Sequence, residues 1–128
     1  MDHSTKTFAL SNGLKIVLTS LNSTEVSHCA LLIKAGTRNE QIQKEGLAHF
    51  IEHMLFKGTR KRKSFHILNR LEIVGGELNA FTSKEETCIH ASVTSLHLER
   101  ALELISDITF NSVYNIREIE KEKEVVCD

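Results

Sequence analysis

The sequence predicts an α+β fold in which a mixed, mainly antiparallel sheet is covered on one face by helices. Three observations support this prediction: a hairpin pattern near the start, two helical patterns between strand-like runs, and two strand-like runs joined by a short polar turn. Strands and helices in this order are typical of a layered α+β domain. The 128 residues contain no repeat or linker, so we expect residues 1–128 to form one continuous unit.

The first elements are strands. Apolar and polar residues alternate over residues 6–20 around Ser11-Asn12-Gly13, which predicts a hairpin of two short strands. Residues 25–36, EVSHCALLIKAG, form a more apolar run that Gly36 ends, and we predict a third strand there.

Two helices follow, over residues 44–57 and 64–74, where apolar residues recur with helical spacing. Ser64 is a residue type that caps helix N-termini, so we expect it to cap the second helix. The basic run 58–63 separates the helices. We expect this run to be a solvated loop. The alternative is that it attracts an acidic peptide or phosphate.

The second half returns to strands and then to helices. Gly75 and Gly76 allow a close approach of the backbone, and residues 77–83 and 86–93 have strand patterns joined by Lys84 and Glu85. The last predicted elements are helices over residues 95–111 and 116–128. No stop signal follows the final helical pattern, so we expect the chain to be an N-terminal part of a larger domain.

Composition excludes several classes of protein. The formal net charge is −1 and 41% of residues are hydrophobic, which gives no reason to expect nucleic acid or a charged membrane surface as a partner. We find no apolar run of transmembrane length and no secretion signal, and therefore predict a cytoplasmic protein without a membrane partner. The cysteines, Cys29, Cys88 and Cys127, are predicted to be reduced and mostly buried.

The helix that contains GLAHFIEHML has two distinct faces. At about 100° per residue, one face carries the apolar side chains that we expect in the core, namely Leu47, Phe50, Ile51, Met54 and Leu55. His49, Glu52 and His53 share the opposite face. Because histidines four residues apart project from successive turns, both imidazoles can reach one metal ion, and Glu52 lies next to it.

This arrangement suits hydrolysis. Zinc with three protein ligands keeps a position for water, lowers the pKa of that water to about 7 and polarises a carbonyl oxygen. A carboxylate in the position of Glu52 can accept the proton of the water and pass it to a leaving amine. His-x-x-Glu-His is the inverzincin signature, although the polar face of an amphipathic helix can also match such a short motif by chance.

Several separate stretches resemble the pitrilysin and mitochondrial processing peptidase family of zinc metallopeptidases. They are LSNGLKIVL, IKAGTRNE, EGLAHFIEHMLFKGT, GGELNAFTSKEETCIHASV and EIEKEKEVV, in the order and spacing of the family. The resemblance covers nearly the whole chain and implies a zinc-dependent endopeptidase that acts on extended or unfolded peptides. It is therefore much more specific than a single motif.

The resemblance also implies roles for individual residues. His49 and His53 match the zinc ligands, Glu52 matches the general base, and Glu122 matches an acidic residue that supports the site. The third ligand of the family is a glutamate seven positions after the one matched by Glu122, which is the position just beyond Asp128. We therefore expect zinc to be bound weakly or not at all by these residues alone.

A strand of the family beside the zinc helix binds substrate, and it matches Asn79, Ala80, Phe81 and Thr82. By pattern alone this segment is equally consistent with an interior strand and an edge strand, and the resemblance favours the edge. An edge strand can pair main chain to main chain with a peptide substrate, which makes binding tolerant of many side chains.

Further partners follow from the resemblance. It implies a second, similar lobe, in the same chain or in another subunit, and a homodimer is one possible form. Without that lobe we expect the chain to be inactive. Two alternatives stay open. One is an S-ribosylhomocysteine-type lyase with Cys127 as third metal ligand, and the other is a non-catalytic subunit of the peptidase family.

Overall fold

A computed structural model describes residues 3–126, and the strands and helices alternate along it as expected for an α+β fold. The strands are β1 His3–Ala9, β2 Lys15–Leu21, β3 Val26–Ile33, β4 Glu77–Thr82 and β5 Thr87–Thr94. The α-helices are α1 Leu47–Met54, α2 Ser64–Glu72, α3 Leu98–Phe110 and α4 Ile116–Val126. Short 3-10 turns occupy Thr37–Asn39, Ile42–Lys44 and Ser95–His97.

The strands form two antiparallel sheets. β1 and β2 pair with each other as the predicted hairpin, in a two-stranded sheet of their own. The second sheet has the order β3-β5-β4, with β5 in the centre. Among residues 3–126, β4 therefore pairs on one side only and lies at a sheet edge.

The core lies between one face of the three-stranded sheet and the helices. Alternate residues of β5 point into it, because successive side chains of a strand face opposite sides. Ile89, Ala91 and Val93 are buried against residues of α2 and α3. The fully buried helix side chains of this cluster are Ile67, Leu71, Ala101, Leu104 and Ile108. The helices therefore cover one face of this sheet, as the sequence predicts.

The helix α1 is shorter than its apolar pattern predicts. It begins at Leu47 and ends at Met54, because Gly46 has a φ of 86° that no right-handed helix can contain. Leu47 and Ile51 are 42% and 40% exposed, so the prediction that they lie in the core is wrong. Only the part of the apolar stripe nearest the α1 C-terminus, Met54 and Leu55, reaches the core.

The prediction that Ser64 caps α2 is also wrong. Ser64 is the first helical residue and the N-cap position belongs to Lys63. The Ser64 hydroxyl instead donates a hydrogen bond to the carbonyl of Phe56, at 2.9 Å. Ser64 thereby connects the start of α2 to the segment that follows α1.

The close backbone approach predicted at the double glycine is confirmed at Gly76. A Cβ atom there would lie 2.7 Å from Val93 Cγ1 and 3.0 Å from the Ser92 carbonyl oxygen. Because such distances are too short for any side chain, only glycine lets the chain pass from α2 into β4 along this path. This passage places β4 beside β5 and next to α1.

Within residues 3–126, no helix combines the length and the apolar content required to cross a bilayer. The two cysteines of this part of the chain are free: Cys88 is buried and Cys29 is half-buried. Burial raises the pKa of both thiols. These two residues fit the predicted reduced cysteines, and Cys127 lies outside the described residues.

Candidate metal centre

The start of α1 is held by a carboxylate that lies earlier in the chain. Glu40 accepts hydrogen bonds from the backbone N–H groups of Gly46, at 2.7 Å, and Ala48, at 3.1 Å. Unpaired N–H groups at a helix N-terminus favour a negative charge there. Glu40 therefore fixes where α1 begins, and with it the direction in which the side chains of α1 project.

The two histidines of α1 converge. The Nε2 atoms of His49 and His53 lie 3.0 Å apart, and the rings meet edge to face with centroids 4.5 Å apart. This confirms the geometric expectation that residues four apart share one face of the helix. His49 is exposed to solvent and His53 is half-buried, so the convergence point is accessible from outside.

Glu122 of α4 contacts the other nitrogen of His53. Its Oε2 lies 2.9 Å from His53 Nδ1, and its Oε1 lies 2.8 Å from Lys57 Nζ. The hydrogen bond from Lys57 lowers the pKa of Glu122, and His53 adds to this effect, while burial opposes it. Because an ionised carboxylate can only accept, His53 Nδ1 is the donor to Glu122, and in a neutral imidazole this tautomer leaves the lone pair on Nε2.

Glu52 lies next to the two imidazoles but is held by a different element. It is 9% exposed, and the hydroxyl of Thr82, the last residue of β4, donates a hydrogen bond to its Oε2. One ligand atom each from His49, Glu52 and His53 lie within 4.8 Å of one another. The structure therefore brings together the three residues that the motif singles out.

These residues fit a zinc ion. Zn–N distances of about 2.0–2.1 Å in a tetrahedral site place two ligand nitrogens about 3.3 Å apart, close to the observed 3.0 Å. A carboxylate that accepts from the distal nitrogen of a ligand histidine is the usual support of a metal site. Glu122 takes this position with His53, since its Oε2 lies against Nδ1, the ring nitrogen opposite Nε2.

The four residues predicted to bind substrate do not share one environment. Ala80 packs against the core, while Asn79 and Phe81 are exposed on the opposite face of the sheet, where Phe81 lies near His90. Thr82 is half-buried and its hydroxyl donates to Glu52. What the four residues share is the main chain of an edge strand beside α1.

Two residues of the centre are missing from the sequence prediction. Lys57 lies four residues after His53, just past the end of α1, and this i, i+4 spacing within the predicted helix 44–57 is the signal that could have indicated it. Glu40 gives no such signal, because its contact with α1 depends on the path of residues 41–45. The predicted position of a third ligand, beyond Asp128, lies outside the described residues.

A family model supports the resemblance seen in the sequence. The model described as "Insulinase (Peptidase family M16)" matches residues 15–128. This range includes α1, β4 and α4, the three elements that meet at the centre. The lyase alternative depended on five residues and on Cys127, whereas this match extends over most of the chain.

Named relatives agree with the family model. The chain is 38% identical over 123 residues to "Uncharacterized zinc protease YmxG" of Bacillus subtilis, covering 96% of this chain and 30% of the relative. It is 43% identical over 124 residues to "Mitochondrial-processing peptidase subunit beta" of Rattus norvegicus, covering 95% and 25% respectively. The chain thus spans less than a third of the length of these relatives.

A solved structure has the same fold. "The crystal structure of a protease from Helicobacter pylori" superposes with a TM-score of 0.91 at 31% identity, covering 95% of this chain and 30% of that one. The sequence matches and the fold therefore point to the same family. The chain belongs to peptidase family M16, the insulinase or pitrilysin family of metallopeptidases.

Proposed function

We propose that this chain carries the N-terminal, zinc-binding part of a zinc-dependent endopeptidase that cleaves extended or unfolded peptides. The observation that carries this proposal is the convergence of His49 and His53 Nε2, 3.0 Å apart, beside the Glu52 carboxylate. When bound there, zinc supplies the Lewis acidity that activates water and polarises a peptide carbonyl. Relatives that are named zinc proteases support zinc as the cofactor.

In this mechanism Glu52 is the general base. Its carboxylate takes a proton from the attacking water and returns it to the amine of the cleaved bond. The hydrogen bond from Thr82 restrains Oε2, which leaves Oε1 free to face the water. Glu122 holds the proton on His53 Nδ1 and so keeps Nε2 unprotonated as a ligand.

The edge of β4 is the proposed peptide-binding element. Its position beside α1 would let an extended peptide pair with the main chain of Asn79, Ala80, Phe81 and Thr82 and bring a carbonyl towards the centre. Phe81 and Asn79 would contact the side chains of the peptide on the open face of the sheet. A change of Asn79 to alanine should therefore alter KM more than kcat.

We also propose that full activity needs a second, similar lobe, because the chain spans only 25–30% of its relatives. That lobe would come from the same polypeptide or from another subunit, including a second copy. Because the family's third ligand, a glutamate, matches the position just beyond Asp128, we also expect zinc to bind weakly to these residues alone. The cytoplasmic location stays a prediction, and one of the relatives is named for the mitochondrion.

The test is a peptidase assay on an unfolded peptide with a quenched fluorophore. It compares the 128-residue chain with a form that continues past Asp128, each with and without a chelator. We expect the longer form to cleave the peptide, the chelator to abolish cleavage, and the short chain to be nearly inactive. Robust cleavage by the 128-residue chain would refute the need for a second lobe, but it would still support the proposed peptidase activity.

Glu52→Gln in the longer form tests the general base. The amide cannot accept the proton, so kcat should fall by about 10²- to 10⁴-fold while the zinc content stays unchanged. Glu99→Gln removes an equal charge from an exposed position on α3 and should leave kcat as it was. Unchanged kcat in Glu52→Gln would favour a non-catalytic subunit, which has no chemical need for this carboxylate.

A further inference from the structure

A cavity of about 330 Å³ opens between α2 and α3, beside the loop that joins α1 to α2. Apart from Asn69, the polar residues that line it are all basic: Lys61, Arg62, His66, Arg70 and Arg100. No aspartate or glutamate among residues 3–126 lines it. The basic run identified in the sequence therefore forms one wall of a cavity, and two further arginines come from the helices.

Two of these cations are neutralised from outside the cavity. Glu103 accepts from Lys61 Nζ and from Arg62 Nη2, both at 2.7 Å. Asp107 accepts from Arg62 Nη1, also at 2.7 Å. Because each carboxylate is already used, neither compensates the charge of the remaining arginines.

Arg70 and Arg100 are the excess charges. Neither takes part in an ion pair within residues 3–126. Arg100 Nε donates to the backbone carbonyl of Arg70 at 2.6 Å, which fixes the Arg100 guanidinium against α2, and both arginines line the cavity. Arg70 Nε is buried and has no acceptor in the described part of the chain, although buried donors are nearly always paired.

We propose that this cavity binds a small anion with two or more negative charges on oxygen atoms, of the phosphate or the carboxylate type. Guanidinium groups recognise both types through paired N–H donors, and Asn69 and His66 supply further polar groups in the same wall. The volume lies at the lower end of the range for small-molecule sites, which suits a compact anion such as pyrophosphate or citrate better than a nucleotide.

The test is calorimetric titration of metal-free protein at pH 7.5 in 0.15 M salt with pyrophosphate, and separately with citrate. We expect one saturable site with a Kd below about 1 mM for at least one anion. Stronger binding of pyrophosphate would indicate a phosphate-bearing natural ligand, and stronger binding of citrate would indicate a carboxylate. Absence of saturable binding by both anions would refute the proposal.

Matched variants locate the site. Arg70→Gln and Arg100→Gln should each weaken binding about tenfold or more, since each removes a charge-assisted hydrogen bond. Lys6→Gln removes one charge from the exposed hairpin, and His49→Ala removes a ring of the metal centre; both should keep the wild-type Kd. Equal weakening by Lys6→Gln would show nonspecific attraction, and loss in His49→Ala would place the anion at the metal centre.

Stability changes do not obscure this result. The rise in Tm that saturating anion produces is measured for each variant against its own anion-free value. A variant that is less stable but keeps the full rise retains the site and would contradict the assignment to its arginine. A variant that loses the rise supports it.

Discussion

At the scale of single residues, the centre depends on a chain of contacts that runs from a lysine to the proposed metal ligand His53. Lys57 holds Glu122, and Glu122 holds the proton on His53 Nδ1. The Glu122 side chain is only 7% exposed, so little water can reach its Oε1 to take the place of Lys57. We therefore propose that the lysine positions His53, the proposed ligand, through Glu122 alone.

Lys57→Met should weaken zinc binding. Loss of the ammonium lets the Glu122 carboxylate shift or take up a proton, and removal of such a support usually lowers metal affinity by about 10- to 100-fold. The measurement is competition for zinc against a chelator of known affinity at pH 7.5.

Two companions distinguish positioning from general damage. Lys57→Arg keeps the charge and should restore much of the affinity, whereas Lys121→Met removes an exposed lysine of α4 and should change nothing. Equal zinc affinity in Lys57→Met and wild type would refute this role of Lys57.

At the scale of elements, the loop between α1 and α2 is fixed to α3 by a buried ion pair between Arg62 and Asp107. Asp107 of α3 is 3% exposed in its side chain and accepts from Arg62 Nη1 and Thr59 Oγ1, at 2.7 and 2.8 Å. Burial acts to raise the pKa of Asp107, but hydrogen bonds from Thr59, Arg62 and Asn111 outweigh it and lower the pKa.

Asp107→Asn should lower the free energy of unfolding by about 1.5–3 kcal/mol, because Arg62 keeps Glu103 as a partner but loses its charge-assisted hydrogen bond to Asp107. Chemical denaturation at pH 7 measures this loss. Glu99→Gln, an exposed change on the same helix, should cost less than about 0.5 kcal/mol.

The same pair predicts a pH dependence. Since the folded-state pKa of Asp107 is lowered, its stabilisation is fully present above the ordinary value of 3.8 and is lost as pH falls through the folded-state value. The difference in the free energy of unfolding between wild type and Asp107→Asn should therefore become smaller at the most acidic pH values. A gap that stays constant down to pH 2 would contradict this assignment.

At the scale of the whole molecule, the hairpin and the three-stranded sheet are not equally anchored. Within the described part of β1 and β2, every side chain is exposed except Ile16, which is half-buried. A cavity of about 500 Å³ separates β2 from β3 and α3. An isolated two-stranded hairpin is marginally stable in water.

Hydrogen exchange should therefore divide the molecule into two parts. Amides of the β1–β2 ladder should exchange with a protection at least about 100-fold below that of β5, whose residues are buried in the core. Mass spectrometry of peptides from each region measures this difference. Equal protection would show that the hairpin unfolds only together with the core.

The sequence by itself determined the local features of this protein. The order of strands and helices, the hairpin turn and the shared face of His49, Glu52 and His53 depend on periodicities of two and 3.6 residues, which are written in neighbouring positions. The family resemblance also indicated Glu122 and the edge position of β4, because matched segments transfer contacts that spacing cannot show.

Only the tertiary structure decided which distant groups meet. The contact of Lys57 with Glu122, the hold of Thr82 on Glu52 and the meeting of Arg70 with Arg100 join residues on different elements or depend on how those elements pack. The exposure of Leu47 and Ile51 has the same cause: periodicity defines an apolar face, but packing decides whether anything covers it. Helical spacing fixes a direction for each side chain, and only the folded chain supplies its neighbour.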